Sequence, residues 1–249
     1  LDLPLQLDTS DPAAMERAMR VYNGKPLINS VNGKEESMKT VFPLVQKYGG
    51  VVVALCLDEK GIPETAEGRL EIARKIFDRA QEYGIGPENI LIDALCLTVS
   101  SDSKGALTTL ETLRRVRDEL GGKTILGVSN ISFGLPQREI INGAFFTMAM
   151  ECGLNAAIIN PNSEAMMRAY YSFRALMDLD PQCGDYIQQY GQQAGAGTPS
   201  ARPVSFQKLH HLRQELLLRQ RTGEIHLPRW RQELKRGCGN RPRLRSASF

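Results

Sequence analysis

The sequence predicts an α/β fold of parallel strands curling toward a barrel, and three observations lead there. Between residues 4 and 180, short apolar runs alternate six times with amphipathic stretches. The runs are continuously apolar, as strands are when helices cover a parallel sheet. They also end one after another in polar residues: Asp8-Thr9-Ser10, Asn29-Ser30, Asp58-Glu59, Asp93, Ser129-Asn130 and Asn160. A doubly wound nucleotide-binding sheet would show a glycine-rich phosphate loop after its first strand, and none is present. A TIM-type (β/α) barrel instead gathers its chemistry at the C-terminal strand ends. Six units fall short of the eight, and roughly 250 residues, of a complete barrel.

The elements follow in order. "PLQLD" is the first strand, and Asp11-Pro12 supplies an N-cap and a first-turn proline for the helix after it. "KPLINS" is the second strand, and its helix should stop at Gly49. "GVVVALCLD" is the third, followed by a helix with Leu70, Ala73, Ile76, Phe77 and Ala80 at three- and four-residue steps and a stop at Gly84. "NILIDALCL" is the fourth. Leu107, Leu110, Leu113, Val116 and Leu120 repeat the helical spacing behind it. "TILGVSN" is the fifth, finishing on Asn130; a Gly-Leu-Pro turn leads into a helix that bears Arg138 and ends at Gly153. "AAIINP" is the sixth, with Asn162 as the N-cap expected for the last helix.

Beyond these units the composition changes. Residues 1–200 carry 19 Lys+Arg against 25 Asp+Glu, whereas residues 201–249 carry 12 against 3 and all three histidines. The expected organisation is a barrel over 1–182, a linker over 183–204 and a basic, partly helical or disordered tail over 205–249. Clustered arginines without interleaved aromatics are a poor nucleic-acid signature, so no nucleic-acid partner is expected. No apolar run reaches the ~18 residues of a membrane span, and no signal peptide opens the chain. The first residue is Leu1 rather than an initiator Met, which suggests a missing beginning. Cys56, Cys96, Cys152, Cys183 and Cys238 lack metal-ligand spacing, and the first three lie in apolar elements. Reduced thiols in a cytoplasmic protein are the expectation, with no metal site.

The strand ends also carry a resemblance. "LQLDTSDP", "KPLINSVNGKEESM", "VVVALCLDEKGIPETAEGR", "ILIDALCLTVS", "LGVSNISFGLPQREIIN" and "AAIINPNSEAMM" are similar to the folate (pterin-binding) domain of cobalamin-dependent methionine synthase, over roughly residues 1–190. The resemblance implies a barrel of the dihydropteroate-synthase-like family whose first two units are absent. It implies transfer of the N5-methyl of 5-methyltetrahydrofolate to cob(I)alamin carried on a separate domain or protein. In the full enzyme a homocysteine-binding domain would hold zinc, for which this chain has no Cys/His set. Two alternatives stand beside it: a separate methyltetrahydrofolate:corrinoid-protein methyltransferase, and a non-catalytic barrel fragment.

By the same resemblance Asp8, Asn29, Asp93, Asn130 and Arg138 are pterin-site residues, and Asn160 is a further pterin-facing candidate. The residue types suit the chemistry. A pterin presents adjacent N–H donors, which an acceptor-only carboxylate matches; Asn29 can both donate and accept. Asn130 does not titrate, so it acts as a hydrogen-bond partner of protonated N5 while water supplies the proton. Dihydropteroate synthase carries a lysine where this sequence has Asn130, which favours methyl transfer. Bland readings exist for each: Asp8 as a helix cap, Asn29 as a partner for loop backbone, Arg138 as a surface arginine. Asp93 is the hardest to dismiss, because a carboxylate between Ile92 and Ala94-Leu95 is costly without a partner.

Overall fold

The computed structural model describes residues 3–191. Six strands form one all-parallel sheet in sequential order: β1 (Gln6–Asp8), β2 (Leu27–Asn32), β3 (Val51–Leu55), β4 (Ile90–Asp93), β5 (Lys123–Gly127) and β6 (Ala156–Ile158). Each is followed by a helix: α1 (Pro12–Val21), α2 (Glu35–Tyr48), α3 (Ala66–Glu82), α4 (Gly105–Leu120), α5 (Arg138–Glu151) and α6 (Glu164–Leu176). The result is an incomplete barrel of six βα units, with β1 and β6 at the open edges. A short helix, α7 (Gly184–Tyr190), occupies the first residues of the stretch read as a linker. The rest of that linker and the whole 205–249 tail lie outside the described residues.

The helix ends show why the segments stop and start where they do. Asp11 accepts the Ala13 N–H at 2.9 Å and caps α1, with Pro12 in its first turn. Thr65 accepts the Gly68 N–H at 3.1 Å at the start of α3. Gly49 and Gly121 close α2 and α4 with positive φ, where a Cβ would be strained. At α6 the cap is Ser163, whose hydroxyl accepts the Met166 N–H, rather than the expected Asn162. Asn162 instead spends its own N–H on Asn160.

The period-two alternation of the strands sorts their side chains into two faces. Ile28, Val31, Val52, Ala54, Ile90 and Ile92 pack against helix residues such as Met38, Phe42, Leu70 and Ile76 in one buried cluster. Leu126 joins Leu110, Leu113, Phe145 and Phe146 in a second. The opposite parity therefore faces the concave side. Register pairs Asp8 with Asn29, Asn29 with Val53, Val53 with Leu91, Leu55 with Asp93, and Asp93 with Ile125. Asp8, Asn29 and Asp93 thus share the concave face.

One expected core position fails. Leu107 is 65% exposed, while Leu110, Leu113 and Val116 are buried. Each three-residue step slips about 60° around a helix. Repeated steps of three carry Leu107 off the stripe, and Thr109 and Thr112 take the buried side.

Candidate functional site

At the C-terminal end of β1 and β2, Asn29 Nδ2 donates to Asp8 Oδ2 at 3.1 Å. Gln6 Nε2 reaches the same oxygen at 3.4 Å. Asp8 is not the cap of α1, since Asp11 fills that role, and the exposed Asp8 carboxylate remains available at the mouth. A cavity of about 500 Å³ opens here, lined by Asp8, Ser10, Asn29, Asn32, Lys34 and Thr40 among others. Asp93 and Asn130 do not line it. They stand further along the same face.

Asp93 ends β4 between the fully buried Ile92 and Ala94, and is itself half-buried. Oδ1 accepts the Leu95 N–H at 2.8 Å, a contact that Leu95 makes possible by adopting φ 59°. Burial pushes the carboxyl up from the ordinary aspartate range to about 6, opposed by the Leu95 N–H and by the charge of Arg69. Arg69 is the residue that sequence reasoning missed. It is fully buried in the first turn of α3, and its Nη1 donates to the carbonyls of Ala94 at 2.8 Å and Leu95 at 2.9 Å. One signal pointed to it: Arg69, Ala73 and Ile76 share an i, i+4, i+7 stripe, so an arginine stands where a core residue belongs.

Strand β5 stops at Gly127, three residues before the expected end. The chain then tightens into a 3-10 turn, Val128–Ser132, that carries the exposed Asn130. Gly127 shares the strand parity of Ile125 and so faces the concave side. A Cβ placed on it would sit 3.1 Å from Asn130 Nδ2. The amide therefore folds back over the concave end of β5, beside the strand that carries Asp93.

Arg138 braces this turn. Its Nη2 donates to the Ser129 carbonyl at 2.7 Å and its Nε to Ser132 Oγ at 3.0 Å. Ser132 Oγ in turn donates to Asn142 Oδ1 at 2.7 Å, with Ser132 and Asn142 both buried. The guanidinium also lies 5.5 Å from the centroid of the Phe133 ring. Arg138 is thus neither a free surface arginine nor, among the described residues, in contact with Asp8, Asn29 or Asp93. Asn160 is exposed beyond β6, and its Oδ1 accepts the Asn162 N–H at 3.0 Å, which commits that oxygen to a local turn.

Among the described residues no group of three or more His, Cys, Asp or Glu side chains is placed to hold a metal. Cys56, Cys96 and Cys152 are buried free thiols; Cys183 is partly exposed. Burial raises the Cys96 thiol to about 12 and Cys152 to about 11, which suits packing rather than reactivity. No helix among the described residues is long and apolar enough to cross a membrane.

Comparison with known proteins identifies the family. A family model described as pterin binding enzyme matches residues 1–160. The methylcorrinoid:tetrahydrofolate methyltransferase of Eubacterium limosum is 30% identical over 195 residues, covering 77% of this chain and 72% of that protein. The methionine synthase of Mycobacterium tuberculosis is 33% identical over 171 residues, which are 64% of this chain but 14% of that protein. Among solved structures, dihydropteroate synthase from Vibrio fischeri ES114 superposes with a TM-score of 0.56 at 17% identity, covering 73% of this chain and 70% of that one. The Xanthomonas albilineans dihydropteroate synthase, solved with 7,8-dihydropteroate, gives 0.55 at 20% identity over 70% and 69%. These structures share the barrel. With a sequence pattern matched along most of the six units and a relative aligned across most of both chains, this chain belongs to the pterin-binding enzyme family.

Proposed function

We propose that the concave mouth binds a tetrahydrofolate and that its methyl group passes between N5 and a corrinoid. The observation that carries this reading is the shared face of Asp8, Asn29, Asp93 and the folded-back Asn130. Two carboxylates suit the adjacent N–H donors of a pterin, and two amides suit its mixed nitrogens. An ionised Asp93 has a second oxygen free for such an edge. It pays its desolvation in advance, which strengthens the pairing when a donor arrives.

Asn130 is the group we assign to the reaction centre. N5 is a poor leaving group unless protonated or strongly hydrogen-bonded as the methyl departs. The amide accepts from protonated N5 through Oδ1 and donates to neutral N5 through Nδ2, so a rotation serves both directions of transfer. Arg138, Ser132 and Asn142 fix the turn and so fix where the amide stands. The corrinoid, when present, supplies the nucleophilic metal centre that takes the methyl. The three histidines lie at 210, 211 and 226, outside the described residues, and the corrinoid is assigned to another domain or protein.

Two settings fit this chemistry. The folate domain of a methionine synthase is one, in which homocysteine and zinc belong to further domains. A separate corrinoid-protein methyltransferase is the other, favoured by the longer match, 195 residues against 171, and by coverage of 72% of that relative.

Isothermal titration with 5-methyltetrahydrofolate tests the reading. Binding that weakens at least a hundred-fold in Asp93→Ala supports it. Folded protein that takes up no tetrahydrofolate refutes it. Stopped-flow loss of cob(I)alamin absorbance, with and without the folate, then tests the transfer itself.

A further inference from the structure

We propose that Arg69 is a positioning residue that aims the Asp93 carboxylate into the mouth by pinning the backbone immediately after it. The proposal adds a residue to the pterin reading, on which its consequence for binding rests. The geometry makes a closed circuit. Asp93 Oδ1 accepts from the Leu95 N–H at 2.8 Å, and Arg69 Nη1 donates to the Leu95 carbonyl at 2.9 Å and to the Ala94 carbonyl at 2.8 Å. Leu95 must hold φ 59°, a left-handed conformation that is unfavourable for a non-glycine residue. Two carbonyls held by one cation offset that cost. Without them the chain could relax, and the N–H that orients the carboxylate would turn away.

The anchoring of Arg69 is itself over-determined. Nε donates to the Pro63 carbonyl at 3.0 Å, and Thr109 Oγ1 lies 3.4 Å from Nη1 while donating to the Gly105 carbonyl at 2.8 Å. The side chain therefore ties the loop before α3, the turn after β4 and the start of α4 together. Nη2 is buried with no hydrogen-bond partner among the described residues. A guanidinium kept fully buried with both Nη2 N–H groups unpartnered among the described residues is expensive for a role that packing alone could fill. An apolar residue on this stripe would serve the core at least as well.

Electrostatics point the same way. The groups around the carboxylate are Arg69 from α3, Cys56 beyond β3 and Cys96 on its own segment, while Asp102 before α4 acts on Arg69. Both thiols are raised by burial and stay neutral, leaving Arg69 as the cation that favours the ionised carboxylate.

The test needs no ligand at its core. The Asp93 carboxyl is followed by carbon-13 NMR in the full chain as pH is varied, alongside the Leu95 amide and the Arg69 guanidinium signals. In the wild type all three should move together through one midpoint near 6. Arg69→Met should raise the Asp93 midpoint, speed hydrogen exchange at Leu95 and weaken 5-methyltetrahydrofolate at least ten-fold. Arg69→Lys should keep the midpoint near wild type but still loosen Leu95, because a point donor cannot replace the fork. Arg69 signals that stay still while wild-type Asp93 titrates would overturn the proposal, and this measurement stands even if both variants misfold. So would a folded Arg69→Met protein with an unchanged Asp93 midpoint. If wild-type protein binds no folate yet the signals move together, the pterin reading fails and the positioning role survives.

Discussion

Two residues carry the sharpest expectations, and they differ in what they should change. On the proposed reading, Asn130→Ala removes the hydrogen-bond partner of N5 as its protonation changes. Methyl transfer should drop by about a hundred-fold or more while the folate dissociation constant stays within a few-fold. Equal losses in binding and rate would place Asn130 in ordinary substrate binding instead. Asp93 trades stability for readiness. Its folded carboxyl is raised to about 6 from 3.8, so the folded state holds the proton more tightly than the unfolded chain. Stability from this group is therefore full below about pH 4 and falls as pH climbs toward 6. Asp93→Asn should be more stable at pH 7 by up to about 3 kcal/mol, and the gain should vanish by pH 4 in urea titrations. A gain independent of pH would mean another group sets the cost. Both could be singled out in the sequence, Asn130 because it closes an apolar run and Asp93 because it interrupts one, with a side chain that no helix end needed. Arg69 was hidden by its type, since arginine inside a helical stretch reads as surface until the stripe beside it is examined.

Scaled up to elements, legibility depended on which chemical signal marked the boundary. The Asp11 cap located α1 correctly, because its carboxylate accepts the Ala13 N–H, whereas α3 was located by its apolar spacing and its Thr65 cap went unread. The end of β5 was missed by three residues, since Val128 is as apolar as the strand before it and nothing in the sequence marks the 3-10 turn. The last cap slipped from Ser163 to Asn162 for a similar reason: both residue types cap well, and only the Asn160 turn separates them. Helix α4 shows the same limit inside an element. Leu113 is fully buried between β5 and α5, whereas Leu107 points away. Leu113→Ala should cost about 2–5 kcal/mol of unfolding free energy, and Leu107→Ala within about 0.5 kcal/mol. Chemical denaturation of the two variants compares them directly. Similar losses would mean that the Leu107 side chain is covered in solution.

At the level of the whole molecule, the candidate site is assembled by the sheet rather than by any one unit. Asp8 and Asn29 come from adjacent strands in register, Asp93 sits two strands beyond Asn29, and the Asn130 turn follows on the next. The cavity beside Asp8 and Asn29 does not reach Asp93 or Asn130. A ligand held by all four would span from β1 to the turn after β5, and its binding should tie β1 to β5 energetically. Ligand that binds only the folded state stabilises by about 2.7 kcal/mol at a hundred times its dissociation constant. Hydrogen exchange read by mass spectrometry can locate where that protection falls. With 5-methyltetrahydrofolate at this excess, peptides covering the ends of β1 and β2 and those covering residues 93–97 and 128–132 should slow together. In Asp93→Ala, at equal ligand concentration, all of them should lose protection, including the distant β1 segment. Protection confined to β1 and β2, or persisting there when Asp93 is removed, would show two independent patches instead of one mouth.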